Sequence, residues 1–342
     1  MKAVIFREHG GPEKFELANV PPPQVTPDEV LVRVRACALN HLDIWVRQGL
    51  PGIPVEMPHI CGSDIAGEIA EIGSGTKNLK IGQHVIISPG ISCGMCEFCA
   101  RGEDSNCAQF DIMGMRRQGG YAEFAKAPAK DFLPVSNKLS FEEWAAIPLV
   151  FLTAWHMLIT RGKLRPGETV LVHAAGSGIG SAAIQIAKLM GATVITTAGS
   201  DEKLALGKKL GADHGIHYTS VDYSEQTRKL TGGRGVDLIF EHIGPENWEK
   251  NLACLARGGR MVFCGATTGA MVNVNIRSVF VRQHSLIGCY MGGRHELLEL
   301  LKLIEAGKLH PVVDKVYPLA EAASAHRRML DRGNFGKIVL KI

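Results

Sequence analysis

Residues 169–192 read TVLVHAAGSGIGSAAIQIAKLMGA, and the order of residue types in this stretch decides the fold. A β-branched apolar run ends at Ala174, the small-residue turn 175-AGSGIGS-181 follows, and apolar residues then recur at helical spacing. Gly178 and Gly180 let the main chain approach a pyrophosphate, which the unpaired amides of a helix N-terminus stabilise. Strand, glycine-rich turn and helix in direct succession therefore mark a dinucleotide site built from Gly176, Ser177, Gly178, Ile179 and Gly180.

The same rhythm continues outward. Apolar runs TVITTAG (193–199), VDLIFEHIG (236–244), RMVFCGA (260–266) and SLIGCYM (285–291) alternate with helical stretches. The helical stretches are Ser181–Met190, Glu202–Leu210, Trp248–Leu255 and His295–Ala306. Continuous β-branched runs separated by helices indicate a parallel sheet covered on both faces. With a short strand at Gly215–Thr219, about six strands are expected, enough for a doubly wound nucleotide-binding domain. Ile243, Gly265 and Ala266, at the ends of later strands, join the expected cofactor contacts. The choice of dinucleotide falls at the end of the second strand, where an acidic residue would bind a ribose and repel a 2′-phosphate. Gly199 and Ser200 stand there instead, with Lys203 and Tyr218 nearby. NADP(H) is therefore expected over NAD(H), with Ser200, Lys203 and Tyr218 on the phosphate; an inward turn of Asp201 would reverse the preference.

Residues 1–150 are of a different kind. Lys2–Phe6, Glu29–Ala36, Ile65–Ile72, His84–Ser88 and Gly119–Ala127 read as short strands, and Pro21-Pro22-Pro23 marks an extended connection. One excursion, 92-SCGMCEFCARGEDSNC-107, carries Cys93, Cys96, Cys99 and Cys107 in the spacing C-x2-C-x2-C-x7-C. Four thiols this close form a tetrahedral zinc site closed by its own loop, with no position left for a substrate. The other five cysteines sit singly in apolar contexts, which suits a reducing compartment better than disulfides.

With 342 residues, 46% hydrophobic and 21% charged, the chain reads as a soluble protein of two domains. A net charge of +4 without any basic tract argues against nucleic acid and membrane surfaces as partners. The N-terminus lacks the apolar segment of a signal peptide, so a cytoplasmic location is expected.

Taken together, 36-ACALNHLDIWVRQG-49, 62-GSDIAGEI-69, the cysteine lobe, 152-LTAWHML-158, the turn at 175–181 and 333-GNFGKIVL-340 resemble the medium-chain dehydrogenase/reductase superfamily. That group holds the zinc-type alcohol dehydrogenases and the quinone oxidoreductases, and the likeness covers nearly the whole chain. The resemblance implies a GroES-like catalytic domain from residues 1–150 and 291–342, with the zinc lobe at 90–110. Between them, 151–290 would form the Rossmann domain, with the active site in the cleft.

Zinc alcohol dehydrogenases of this kind carry a second, catalytic zinc on a Cys, a His and a Cys. The matching positions here are Asn40, Ser63 and Leu149. Neutral oxygens and an aliphatic side chain do not replace two thiolates and an imidazole. One structural zinc per chain and no catalytic zinc are therefore expected. The proton-relay positions hold Leu42 and Trp45, and Trp45 also departs from the tyrosine of many quinone oxidoreductases. His41 matches a position that often touches the cofactor pyrophosphate, with a solvated loop histidine as the plain alternative, and Phe335-Gly336-Lys337 resembles segments that close over the cofactor, with capping of the final strand pairing as the plain alternative.

The expected activity is NADPH-dependent reduction of quinones or enones, with Asn40, Ser63 and Thr153 donating hydrogen bonds to the oxygen that gains charge. The rivals are a zinc-type alcohol or aldehyde dehydrogenase and a non-catalytic NADPH-binding protein. Edge pairing through His284–Cys289 implies a homodimer, with a homotetramer as the larger alternative.

Overall fold

The structure, a computed structural model, describes all 342 residues. It divides into two compact units, Met1–Val150 with Gly293–Ile342, and Phe151–Gly292. The division falls two residues beyond the sequence-based boundary at 290, because the chain re-enters the first unit only at Gly293, ahead of the helix Arg294–Glu305.

The first unit is built on a seven-stranded sheet. Its path runs Val313–Pro318, Lys337–Lys341, Glu29–Ala38, Asp64–Ile72, His84–Ile87 and Phe132–Pro134, and Phe124–Pro128 also pairs with Glu29–Ala38. Alternation explains the central strand: Val32, Val34 and Ala36 are buried, and Arg33 and Arg35 between them face solvent. The register pairs Ala38 with Asp64, which brings the segment after the one strand beside the segment before the other.

The strand expected over Gly119–Ala127 begins only at Phe124. Upstream, Gly120 N donates to Gly62 O at 2.9 Å and Tyr121 N to Cys61 O at 3.0 Å, so the chain is held against the Cys61–Gly62 backbone instead of in the sheet. Gly62 itself (φ +107°) admits no side chain: a Cβ there would lie 2.6 Å from the Tyr121 ring and 2.7 Å from Cys37 Sγ.

The second unit is one parallel sheet of six strands. In spatial order they are His214–His217, Thr193–Ala198, Thr169–Val172, Val236–Glu241, Leu255–Phe263 and Ser285–Gly288. Chain order therefore runs outward from Thr169–Val172 to one edge, then from Val236–Glu241 to the other. The reversal falls between these two central strands, whose Val170, Leu171, Val172, Leu238, Ile239 and Phe240 are all fully buried. Helices of 7 to 12 residues fill the crossovers. No helix is long and apolar enough to cross a membrane.

Candidate functional site

In an open parallel sheet the ligand crevice lies beyond the carboxyl ends of the strands where the order reverses. The loops after Val172 and after Glu241 meet that description, and the loop after Ala198, on the neighbouring strand, adjoins them; in chain order these are the first, third and second loops. In the first, Ala174 takes a left-handed backbone (φ 54°) and the helix Gly178–Leu189 begins at once. Ser177 caps it: its hydroxyl donates to Ala174 O and accepts from Gly180 N, both at 2.9 Å. A Cβ on Gly180 would sit 2.2 Å from Ala174 O, so only glycine fits the close approach. The first amides of the helix, at Gly178 and Ile179, have no acceptor within it. The turn thus has the form that a pyrophosphate requires.

At the second loop no carboxylate ends the strand. Ser200 caps the next helix by accepting from Lys203 N at 3.3 Å, and Asp201 is that helix's first residue. Tyr218 follows its strand directly, bonded through its own N–H to Ala198 O at 3.2 Å, and stays 42% exposed. A Cβ on Gly199 would lie 2.9 Å from the Tyr218 hydroxyl. Gly199, Ser200 and Tyr218 are therefore brought together.

A buried polar chain, unforeseen in the sequence, ties the three loops. Thr197 Oγ1 accepts from Ala174 N at 3.2 Å and lies 3.1 Å from His173 Nδ1. His173 Nε2 reaches Asn251 Oδ1 at 2.7 Å, and Asn251 Nδ2 donates to Glu241. The Glu241 carboxylate, fully buried, also accepts from Ile243 N and from Gly244 N, the latter at 2.9 Å. His242 Nε2 donates to His173 O at 3.2 Å. Burial pulls the pKa of both histidines down and keeps them neutral. Gly265 packs so closely that a Cβ would lie 2.5 Å from His242 O, and Ala266 O closes a turn with Gly269 N at 3.2 Å. The only sequence signal for this chain is that His173 and Glu241 end otherwise apolar strands.

Within the first unit a second buried cluster surrounds Asn40. Asp43 holds both flanks: its carboxylate accepts from Asn40 N at 2.7 Å, Gly62 N at 2.9 Å and the Tyr121 hydroxyl at 3.2 Å. Burial raises its pKa to about 6, against the lowering effect of the Asn40 amide. Tyr121 Oη also lies 3.1 Å from His326 Nε2, and burial, then the Arg47 charge, pushes His326 down to about 3. A neutral His326 whose Nε2–H donates to Tyr121, which in turn donates to Asp43, sets one direction along the three groups, and leaves His326 Nδ1 buried without a partner.

Asp64 is fully buried and accepts from Leu149 N at 2.7 Å and Asn40 Nδ2 at 2.9 Å. Lys337 is 4% exposed; its ammonium donates to Leu39 O at 2.6 Å, Asn40 Oδ1 at 2.6 Å and Asp64 Oδ2 at 2.9 Å. All three ammonium protons are thereby used. This corrects the expectation that Lys337 binds cofactor, because no N–H remains for a phosphate. Ser63 Oγ, by contrast, is buried with no partner.

Elsewhere, His41 opens the helix His41–Gln48 and packs edge-on against Trp45 with centroids 5.5 Å apart. Thr153 belongs to the second unit, where its hydroxyl faces Met291 Sδ at 3.8 Å.

In the cysteine lobe the four Sγ atoms of Cys93, Cys96, Cys99 and Cys107 lie within 4.8 Å of one another. Backbone N–H groups already point at sulfur: Met95 N and Cys96 N reach Cys93 Sγ at 3.5 and 3.3 Å, and Gln109 N reaches Cys107 Sγ at 3.4 Å. The Met95 amide, then that of Cys96, draws the Cys93 thiol down to about 6, whereas Cys96, despite the Cys99 amide, is pushed up to about 11 by burial and its thiol neighbours, so Cys93 ionises ahead of Cys96. The donor set fits zinc. The lobe is anchored by Asp104, which accepts from Ser92 Oγ at 3.0 Å and from Arg294 N at 2.8 Å.

Comparison with known proteins agrees with this architecture. Residues 26–137 match the alcohol dehydrogenase GroES-like domain, and 178–306 match the zinc-binding dehydrogenase domain. A solved NAD-dependent alcohol dehydrogenase is 45% identical with a TM-score of 0.96, covering 100% of both chains. Among characterised relatives, an NAD-dependent alcohol dehydrogenase of Sulfolobus acidocaldarius is 34% identical over 100% of each chain. A quinone oxidoreductase of Homo sapiens is 31% identical over 99% of this chain and 97% of its own. The chain belongs to the medium-chain dehydrogenase/reductase superfamily. It is an oxidoreductase of the alcohol dehydrogenase and quinone oxidoreductase type, a family that uses nicotinamide cofactors and often zinc.

Proposed function

We propose that the chain reduces activated double bonds or quinones with NADPH, with a structural zinc in the cysteine lobe and no metal at the reaction centre. One observation carries the reading: the three positions that the family resemblance matches to catalytic-zinc ligands hold Asn40, Ser63 and Leu149, and the cation beside them is the buried Lys337 ammonium. Such a donor set does not fit zinc.

Gly176–Gly180 are suited to hold the pyrophosphate, and Ser200, Lys203 and Tyr218 a 2′-phosphate; when bound, the nicotinamide supplies the hydride. Hydride arrival at an enone or quinone leaves charge on an oxygen. The second Nδ2 proton of Asn40 and the hydroxyls of Ser63 and Thr153 are the donors proposed to stabilise that oxygen, and solvent provides the final proton. Without a Lewis acid to lower a hydroxyl pKa, plain alcohol oxidation is disfavoured.

A second reading, an NAD-dependent alcohol dehydrogenase, is favoured by the 45% identity to a solved enzyme of that kind. Steady-state assays with NADPH and NADH against enones, quinones, aldehydes and alcohols separate the two. The proposal expects the highest kcat/KM for NADPH with an enone or quinone; NADH with an aldehyde or alcohol as the best pair contradicts it. Tight cofactor binding without turnover on any of these points to a binding protein. Assembly through the edge strand Ser285–Gly288 is part of the proposal, supported by exposed Ile276, Phe280, Val281 and Tyr290 nearby in the chain. So is a cytoplasmic location, supported by nine cysteines none of which forms a disulfide.

A further inference from the structure

An ammonium buried in a protein core is costly unless its partners are well placed. Lys337 satisfies that condition with one carboxylate, one backbone carbonyl and one side-chain carbonyl, and the last of these belongs to Asn40. Two constraints then fix the Asn40 amide. Its Oδ1 receives a proton from Lys337 at 2.6 Å, and one Nδ2 proton goes to Asp64 at 2.9 Å. A flipped amide would set N–H against an ammonium and oxygen against a carboxylate. One orientation survives, with a single Nδ2 proton left over.

We propose that Lys337 is a positioning residue that lends its charge to the reaction through Asn40. It locks the amide so that the second Nδ2 proton faces the oxygen that gains charge, and it polarises that N–H. The physical reason is amide resonance: a cationic donor on the carbonyl oxygen shifts electron density from nitrogen to oxygen and strengthens the remaining N–H as a donor. Asp64 balances the charge and, through Leu149 N, ties the pair to the start of the helix Pro148–Trp155. Asp43, the other carboxylate at Asn40, is engaged by the Asn40, Gly62 and Tyr121 donors and leaves the amide side chain alone. Lys337 does not itself touch substrate, because its three protons are committed. A positive centre thus acts from behind an amide at a place where relatives use a metal.

The inference rests on the reading under Proposed function, and its test keeps the two apart. Two variants remove the charge: Lys337→Gln, which retains N–H donors, and Lys337→Met combined with Asp64→Asn, which removes the ammonium together with the carboxylate it touches. Lys337→Arg serves as the conservative control. The readouts are the Asn40 side-chain amide in 1H–15N spectra, assigned by its loss in Asn40→Ala, and kcat against KM with NADPH and a simple enone.

The expected result is an upfield shift of the Asn40 N–H in both neutral variants. A fall in kcat of about 10–100-fold, of the size seen for weakened oxyanion donors, accompanies it with KM for NADPH unchanged. The Arg variant recovers most of the rate. An Asn40 signal that stays in place in either folded neutral variant, or a kcat within about twofold of the parent, overturns the inference. If the parent protein reduces no enone or quinone, the functional reading fails, and the amide shift still decides whether Lys337 acts on Asn40.

Discussion

At the scale of single residues, the first unit keeps a neutral histidine and a reluctant carboxyl on either side of one tyrosine hydroxyl. His326, buried, has its pKa lowered to about 3, and Asp43 has its own raised to about 6. The two act on stability with opposite signs. An imidazole that resists protonation only when folded removes stability as pH falls from the unfolded value near 6.5 toward 3. A carboxyl that resists ionisation removes stability as pH rises from about 4 to 6. In the replacement His326→Gln, which keeps a donor to Tyr121, the stability lost between pH 6.5 and pH 4.5 should shrink by about 2 kcal/mol. Urea unfolding at the two pH values measures it; an unchanged difference between parent and variant contradicts the assignment. Asn40→Ala, which removes the amide from its three-group cluster, is expected to lower kcat by about 100-fold on an enone. Steady-state kinetics check this, and an unaltered rate removes Asn40 from the chemistry.

At the scale of elements, the cysteine lobe and the glycine-rich turn were both legible in the sequence, because their chemistry is local. Cys93 to Cys107 and Ala174 to Gly180 each lie within one loop, so spacing alone reveals them. What escaped detection is non-local. Lys337 meets Asp64 across 273 residues, Asp104 caps Arg294 across 190, and His173 meets Asn251 across 78. No periodicity encodes such pairings, and Lys337 was accordingly read as a cofactor ligand when its protons serve Leu39, Asn40 and Asp64. The Asp104 link yields a prediction for the lobe as an element. Removing the proposed zinc should loosen Asp104 and expose the first turn of the helix Arg294–Glu305. Hydrogen exchange after chelation is expected to quicken by about tenfold or more at 294–298, and to leave the strands Thr169–Val172 and Val236–Glu241 unaltered. Equal protection with and without chelator contradicts this coupling. At the second loop, Ser200→Ala is expected to weaken NADPH binding by about tenfold and leave NADH unaffected, as measured by fluorescence titration. Equal losses for both cofactors contradict a phosphate contact at Ser200.

At the scale of the whole molecule, the proposed roles fall on two different sheets, one parallel and one mostly antiparallel. In the proposed reading the cofactor falls at the parallel sheet's point of reversal, and the donors Asn40 and Ser63 belong to the first unit, where two buried carboxylates and one buried ammonium surround Asn40. The cysteine lobe gathers the thiols elsewhere in that same unit, so a metal ion and the proposed reaction centre are kept on separate loops. Metal analysis of extensively dialysed, catalytically active protein, together with activity before and after treatment with a strong chelator, tests this most directly. The account predicts one zinc per chain and a kcat on its best acceptor that does not depend on any further metal. Two zinc ions per chain, with the second lost in step with activity and restored by zinc alone, would contradict it.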